Sequence, residues 1–319
     1  MRAYLQLLRL PTVFTAMADI VLGFVLTHGL IYGPFPLQEG QLEPAIGWHH
    51  LDQFLGLLAA SSCLYLSGMV FNDVFDQKQD LTERPTRPIP SGRVAAKAAT
   101  RLGIILMTVG VGCAAMVSRV SLQVALLLVV AILSYDGILK RTLLGPFAMG
   151  SCRFLNVMLG ASVQNDLFPS LVSLPQLAAA TGLGLFIVGV TLFARTETRT
   201  SSRWQLGLAQ FVMNVGFSIQ VWLILTWPVG SPIEIPLAML MVVAFTVNRR
   251  ALDALNDPSP AKVQRGVKVM LLSLVFIDAT LVFWFLNAPA TAKYGASHAL
   301  ATAVLVVPAL LLGRVIKMT

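Results

Sequence analysis

Charge is scarce in this chain. Only 12% of its 319 residues are charged, 56% are hydrophobic, and mean hydropathy is +0.76. A soluble domain carries about 25% charged residues, so an ordinary soluble enzyme is excluded. Cysteine is scarce too. Cys63, Cys113 and Cys152 all fall in apolar runs at spacings that match no metal site and no disulfide framework. They read as small buried hydrophobes. The four histidines, His28, His49, His50 and His298, sit near the ends of apolar runs and read as surface groups. No low-complexity tract, soluble domain or small-residue cleavage site stands out. Negative charge is the rarer sign, with 15 acids against 23 bases.

Long apolar runs are abundant. A bilayer core needs roughly 20 apolar residues per helix, and only helices or closed barrels satisfy a backbone in lipid. The runs are continuous rather than alternating, so helices are expected. Ten candidate spans lie at about 13–32, 51–75, 97–118, 120–138, 144–163, 174–196, 206–227, 234–250, 267–287 and 297–315. The run at 234–250 is short and the last reads as partly interfacial, so nine spans are also consistent. The expected fold is an all-α polytopic membrane bundle of nine or ten helices in one domain, 1–319. A weak internal repeat suggests two four-helix halves, about 1–140 and 141–250, followed by C-terminal helices.

The net charge of +8 follows the positive-inside rule rather than marking a nucleic-acid binder. With the N-terminus in the cytoplasm, only Arg119 and Lys293 fall outside, and Arg153 lies within a span. A bacterial inner membrane is the expected location. The longest outer segment is 33–50.

The stretch NDVFDQKQDLTERPTRPIPSG, 72–92, is the densest in charge. Asp73, Asp76 and Asp80 are spaced i, i+3, i+7, which puts them on one face of a helix. Clustered carboxylates at a membrane boundary repel one another and are costly to desolvate. A hard cation relieves both costs. Mg²⁺ is usually held by one or two carboxylates plus substrate phosphates, so the cluster reads as a Mg²⁺–diphosphate site. Arg84 and Arg87 each precede a proline, which ends the helix. A guanidinium fork matches phosphate oxygens. The alternative is a solvated loop laced with salt bridges.

This stretch resembles the first aspartate-rich motif of the UbiA superfamily of intramembrane prenyltransferases, and span order and loop positions extend the likeness over most of the chain. The resemblance implies a helical bundle around a central cavity, facing the cytoplasm. It implies transfer of an isoprenyl group from its diphosphate to an aromatic or other lipophilic acceptor. Asn72, Asp73, Asp76 and Asp80 would hold Mg²⁺, and Arg84 and Arg87 the diphosphate. SYDGILKRT, 134–142, is similar to the family's Tyr-x-x-x-Leu-Lys segment, so Tyr135 and Lys140 would also face the diphosphate, unless Lys140 is a plain positive-inside anchor. Asp136 replaces a small polar residue more usual there.

The second acidic motif departs from the family's pattern. It reads TLFARTETRTSSRWQLG, 191–207, with Glu197 at the first acidic position and Ser201 four residues on. Arg195, Arg199 and Arg203 would form one stripe if the helix continued, with Glu197 roughly opposite. Either Glu197 turns inward onto Mg²⁺ and the arginines reach to lipid headgroups, the favoured arrangement, or the stripe faces the cavity and its arginines replace a metal on the diphosphate. The departure is similar to the EboC-like branch of the superfamily. Within spans, Asp19, Arg153, Asn156 and Asp278 should face the interior, Arg153 pairing with Asp19 or Asp278, either structurally or around the acceptor. Phe71, Phe75, Phe147, Phe154 and Phe193 would wall the prenyl tunnel. Two rivals remain. One is a carrier of a prenylated or specialised metabolite that has lost turnover. The other is an ion-coupled transporter working through Asp19, Arg153 and Asp278.

Overall fold

The computed structural model describes residues 2–34, 45–163, 174–198, 200–230, 232–289 and 291–315. Arg199, the outer loop 164–173 and most of the segment 33–50 lie outside the described residues. The helices are α1 (Arg2–Leu8), α2 (Val13–His28), α3 (Leu51–Phe75), α4 (Gln77–Glu83), α5 (Ala96–Val117), α6 (Arg119–Gly137) and α7 (Gly145–Ala161). The second half adds α8 (Leu174–Ala194), α9 (Arg203–Thr226), α10 (Glu234–Asn256), α11 (Pro260–Leu286), α12 (Ala292–Val304) and α13 (Val306–Val315). A small antiparallel hairpin, Tyr32–Pro34 with Ile46–Trp48, is the one departure from an all-α chain among the described residues.

Nine helices among the described residues are long and apolar enough to cross a membrane, with α12 and α13 forming a single one. The protein is an integral membrane protein. The run expected to be short, 234–250, extends to Asn256 and gives 23 helical residues. The tenth candidate, α7, has 17 residues, the lower limit of about 17 for a span. It is nonetheless a full member of the bundle.

Helices α2, α3, α5, α6, α7, α8, α9, α10 and α11 each pack against the next, and α11 closes on α2. The last two helices lie outside this ring, α12 on α11 and α13 on the turn before α2. With no hydrophobic drive between helices in lipid, close approach depends on small residues. Gly23 of α2 and Gly160 of α7 supply it: a Cβ on Gly160 would stand 2.7 Å from the Ile20 carbonyl oxygen. Gly150 of α7 meets Gly184 of α8 in the same way. Ser118 caps α6, its Oγ accepting from the Ser121 amide at 2.9 Å.

Two expectations about single residues fail. His298 is buried, not a surface group. Its Nε2 accepts from the Ile31 and Tyr32 amides, both at 3.2 Å, so it ties α12 to the chain leaving α2. The phenylalanines do not wall the cavity described below. Phe75 and Phe147 are exposed on the bundle exterior, and Phe71 and Phe193 are buried between helices.

Candidate active site

The charged loops gather at one end of the ring. Helix α3 runs to Phe75, and Asp76 joins it to α4. At about 100° per residue, positions i and i+7 nearly eclipse and i+3 falls about 60° away. Asp73 and Asp80 accordingly meet the same guanidinium. Arg87 Nη1 lies 2.7 Å from Asp80 Oδ2 and 3.4 Å from Asp73 Oδ1. Arg9, from the turn before α2, adds a contact of 2.6 Å to Asp73 Oδ1. Asp76 turns instead toward Lys140, whose Nζ lies 2.6 Å from its Oδ1, with Arg141 at 3.8 Å. This is a charge contact without hydrogen-bond angles, and among the described residues no group donates a hydrogen bond to the buried Asp76 Oδ1. The three aspartates therefore face two ways rather than sharing one face.

Arg87 is held in place by the turn that follows it. Its carbonyl accepts from Ser91 Oγ at 2.6 Å and the Ser91 amide at 3.1 Å. Gly92 closes the turn at φ +73°, a conformation that suits a residue without Cβ. Helix α8 ends at Ala194, so the arginine stripe does not form. The chain turns over 195–198, and the turn is fastened by Thr196 Oγ1 donating to Ser201 Oγ at 2.6 Å. Ser201 is thus a buried turn residue. Glu197 lies 3.5 Å from Arg84, across from the first motif.

These groups surround two overlapping cavities. The outer one, about 350 Å³, is lined by six basic side chains (Arg9, Arg84, Arg87, Lys140, Arg141, Arg195) and four acidic ones (Asp76, Asp80, Glu83, Glu197). The inner one, about 600 Å³, shares Asn72, Arg84, Tyr135 and Glu197 with it and then runs between the helices along Met69, Leu128, Ile132, Ile187, Val190, Val267 and Leu271. An anionic head fits the first and an apolar tail the second. Asp73 lines neither cavity.

Of the four polar residues expected inside the spans, Arg153 and Asn156 line the inner cavity, whereas Asp19 and Asp278 are fully buried behind it. Arg153 Nη1 donates to Asp19 Oδ2 at 2.6 Å and to the Thr15 carbonyl at 3.0 Å. Asn156 Nδ2 donates to the same Asp19 oxygen at 2.8 Å. Arg153 thus pairs with Asp19, and its charge is spent there.

Two site residues escape sequence reasoning. Arg9 reads as a positive-inside anchor and becomes a partner of Asp73 only through the fold. Asp136 registers as an unusual residue without a place. It is buried on α6, lines only the inner cavity, and accepts from Asn72 Nδ2 at 2.9 Å through Oδ1.

Among the described residues, no three Asp, Glu, His or Cys side chains are drawn together tightly enough to hold a metal ion. The donors facing the outer cavity are nevertheless all oxygens on the acidic side, and among the described residues the buried Asp76 Oδ1 accepts no hydrogen bond, having only its charge contact with Lys140. That donor set fits a hard divalent cation in kind.

Solved structures share this architecture. A UbiA homolog from Aeropyrum pernix in its apo state superposes with a TM-score of 0.63 at 15% identity, over 85% of this chain and 96% of that one. A UbiA homolog from Archaeoglobus fulgidus bound to DMAPP and Mg²⁺ gives 0.59 at 14% identity, over 87% and 98%. Curated relatives include the digeranylgeranylglyceryl phosphate synthases of Methanopyrus kandleri, 33% identical over 50% of this chain and 54% of that protein, and Sulfolobus acidocaldarius, 27% identical over 54% and 56%. The chain spans about half the length of these relatives in the matched region. The sequence profile of the UbiA prenyltransferase family covers far more, residues 44–275, and so takes in the first acidic motif, Lys140, Glu197 and most of the ring. With its two acidic motifs meeting over one cavity inside that ring, the chain belongs to the UbiA prenyltransferase family.

Proposed function

We propose that the protein transfers an isoprenyl group from an isoprenyl diphosphate to a lipophilic acceptor, at a site on the cytoplasmic side of the plasma membrane. The carrying observation is the pairing of the cavities. A net-positive outer chamber, six cations against four acids, opens directly onto a long apolar one. A diphosphate with a prenyl tail has this division of charge and grease.

In the reaction, the donor's diphosphate lies among Arg84, Arg87, Lys140 and Arg195. The guanidinium forks take phosphate oxygens bidentately, and Lys140 acts as a point charge. These cations stabilise negative charge as it builds on the departing diphosphate, which is the main electrostatic demand of the step. Asp76, Asn72, Asp80 and Glu197 are the residues that would hold Mg²⁺. When bound, Mg²⁺ supplies further neutralisation of the leaving group. Asp73 works one layer back, fixing Arg9 and Arg87. The allylic carbon then sits at the junction of the chambers, near Tyr135. The bundle shields it from water, and the acceptor's nucleophile bonds to it and loses a proton.

The test uses the protein in lipid vesicles with labelled isoprenyl diphosphates, Mg²⁺ and acceptors, including a lipid-linked glyceryl phosphate as suggested by the relatives' names. Labelled lipid product should form, and both EDTA and Asp76→Asn should lower its rate by about 100-fold or more. Donor retention without diphosphate release would replace this reading with that of a carrier.

A further inference from the structure

We propose that Asp19 and Asp278 bind one proton between them, and that this shared proton fastens α11 to α2 where the helical ring closes. The inference goes beyond the transferase reading and does not depend on it, because neither carboxyl lines either cavity.

Asp19 on α2 and Asp278 on α11 both lie within apolar spans and are fully buried. Their side chains stand within hydrogen-bonding reach of each other. Asp19 Oδ2 is well supplied, accepting from Arg153 Nη1 at 2.6 Å and from Asn156 Nδ2 at 2.8 Å. Among the described residues, Asp19 Oδ1 and both oxygens of Asp278 accept no hydrogen bond. An ionised carboxylate can only accept. Were both acids ionised, three buried oxygens would lack donors and one guanidinium would face two negative charges. Carboxylates sharing a buried site do not both ionise, and one proton between them removes the repulsion. Carried on Asp278, that proton is donated to Asp19 Oδ1. The pair then holds one negative charge, which Arg153 balances. The last Asp278 oxygen is the carbonyl of a neutral acid, far cheaper to bury than a charge.

The neighbouring helices offer no second cation. Arg153 of α7 spends Nη1 and Nη2 on Asp19 and Thr15, and Tyr65 of α3 acts on Arg153. Helix α8 has no titratable residue. Those of α10 (Glu234, Arg249, Arg250, Asp253) lie near its ends. On α12, His298 is turned to the Ile31 and Tyr32 amides and Lys293 to the Tyr294 ring. Arg9, before α2, is paired with Asp73 of α3 at the charged end of the ring. The place of the proton gives it a role. Helices α2 and α11 close the ring, and both wall the inner cavity, through Ala16 and through Val267 and Leu271. Loss of the proton would leave two like charges pressing that seam apart.

Proton linkage tests this. A proton held only in the native state makes unfolding easier as pH rises above the unfolded carboxyl value of about 4, tenfold per pH unit. In Asp278→Asn the amide supplies a donor to Asp19 and no proton is needed. Reversible unfolding in mixed micelles is measured for both proteins between pH 5 and pH 7. The ratio of the wild-type unfolding constant to that of Asp278→Asn should rise about 100-fold over this range. Asp278→Ser, another uncharged donor, should give the same slope and serves if the first variant does not fold. A ratio independent of pH overturns the proposal. So does stabilisation of wild type by Na⁺ that both variants lack, which would put a metal cation between the carboxyls instead. Infrared spectra of wild type with ¹³C-labelled aspartate need no variant: absence of a carboxylic-acid C=O band at neutral pH also overturns it.

Discussion

Arg84 and Arg87 stand three residues apart, are both followed by proline, and look alike in the sequence. Their burial separates them. The Arg87 side chain is 4% exposed and bridges two buried carboxylates, whereas Arg84 and its partner Glu197 are 33% and 29% exposed. Removing one member of a buried ion pair leaves an uncompensated charge and costs about 3–5 kcal/mol. Arg87→Ala should therefore lower stability by about 3 kcal/mol, since Arg9 still covers Asp73. Thermal unfolding in detergent checks this. Arg84→Ala should cost under about 1 kcal/mol, as exposed pairs do, yet weaken donor diphosphate binding about tenfold through the lost phosphate contact. The residue types and order of this motif were legible because spacing alone puts Asp73 and Asp80 on one line of a helix. The second cation on Asp73 was not, since the Arg9 contact spans 64 residues of sequence. The divergence of Asp76 toward Lys140 was open to view in the 60° offset of i+3, a finer distinction than face membership.

Helices in this bundle meet where side chains are missing, and element-scale consequences follow from that. Gly23 and Gly160 put the backbones of α2 and α7 in contact, and the same helix pair carries Asp19 and Arg153. A methyl at Gly160 would press on the Ile20 carbonyl at 2.7 Å. Backbone cannot yield as a flexible side chain can, so Gly160→Ala should force the helices apart at a cost of about 1–3 kcal/mol and lower product formation with it. Gly112, in α5, faces open space: a methyl there would meet nothing within 4 Å. Gly112→Ala should leave stability unchanged or raise it by up to about 1 kcal/mol through helix propensity. Paired melting curves of the two variants distinguish packing from propensity. Span positions were readable from hydropathy because lipid demands long apolar helices. Which glycines touch was not, because a small residue looks the same on a lipid-facing side as on an interface. The end of α8 at Ala194 was likewise hidden: nothing local stops a helix at Ala-Arg-Thr-Glu, and the stop is fixed by Thr196, Ser201 and the Ser201 amide donating to the Pro258 carbonyl at 3.1 Å.

The contact between Arg84 and Glu197 constrains the topology of the whole molecule. Glu197 reaches Arg84 at 3.5 Å, so the loop after α3 and the loop after α8 lie at the same end of the bundle. Between them run α5, α6, α7 and α8. An even number of crossings is needed to return to the same side, and that requires α7 to cross despite its 17 residues. If α7 merely dipped into the bilayer, Glu197 would emerge opposite Arg84 and the two acidic motifs would never share a cavity. A full crossing by α7 also agrees with the charge asymmetry, which leaves Arg119 and Lys293 on the far side. The prediction is concrete. In a background with Cys63, Cys113 and Cys152 replaced by alanine, single cysteines at Lys78, Arg141 and Lys262 should react with a membrane-impermeant maleimide only after the membrane is opened. Cysteines at Arg119 and Lys293 should react in intact cells. Labelling of the Lys262 position from outside, with Lys78 still protected, would break the even count and remove the shared site on which the proposed transferase chemistry depends.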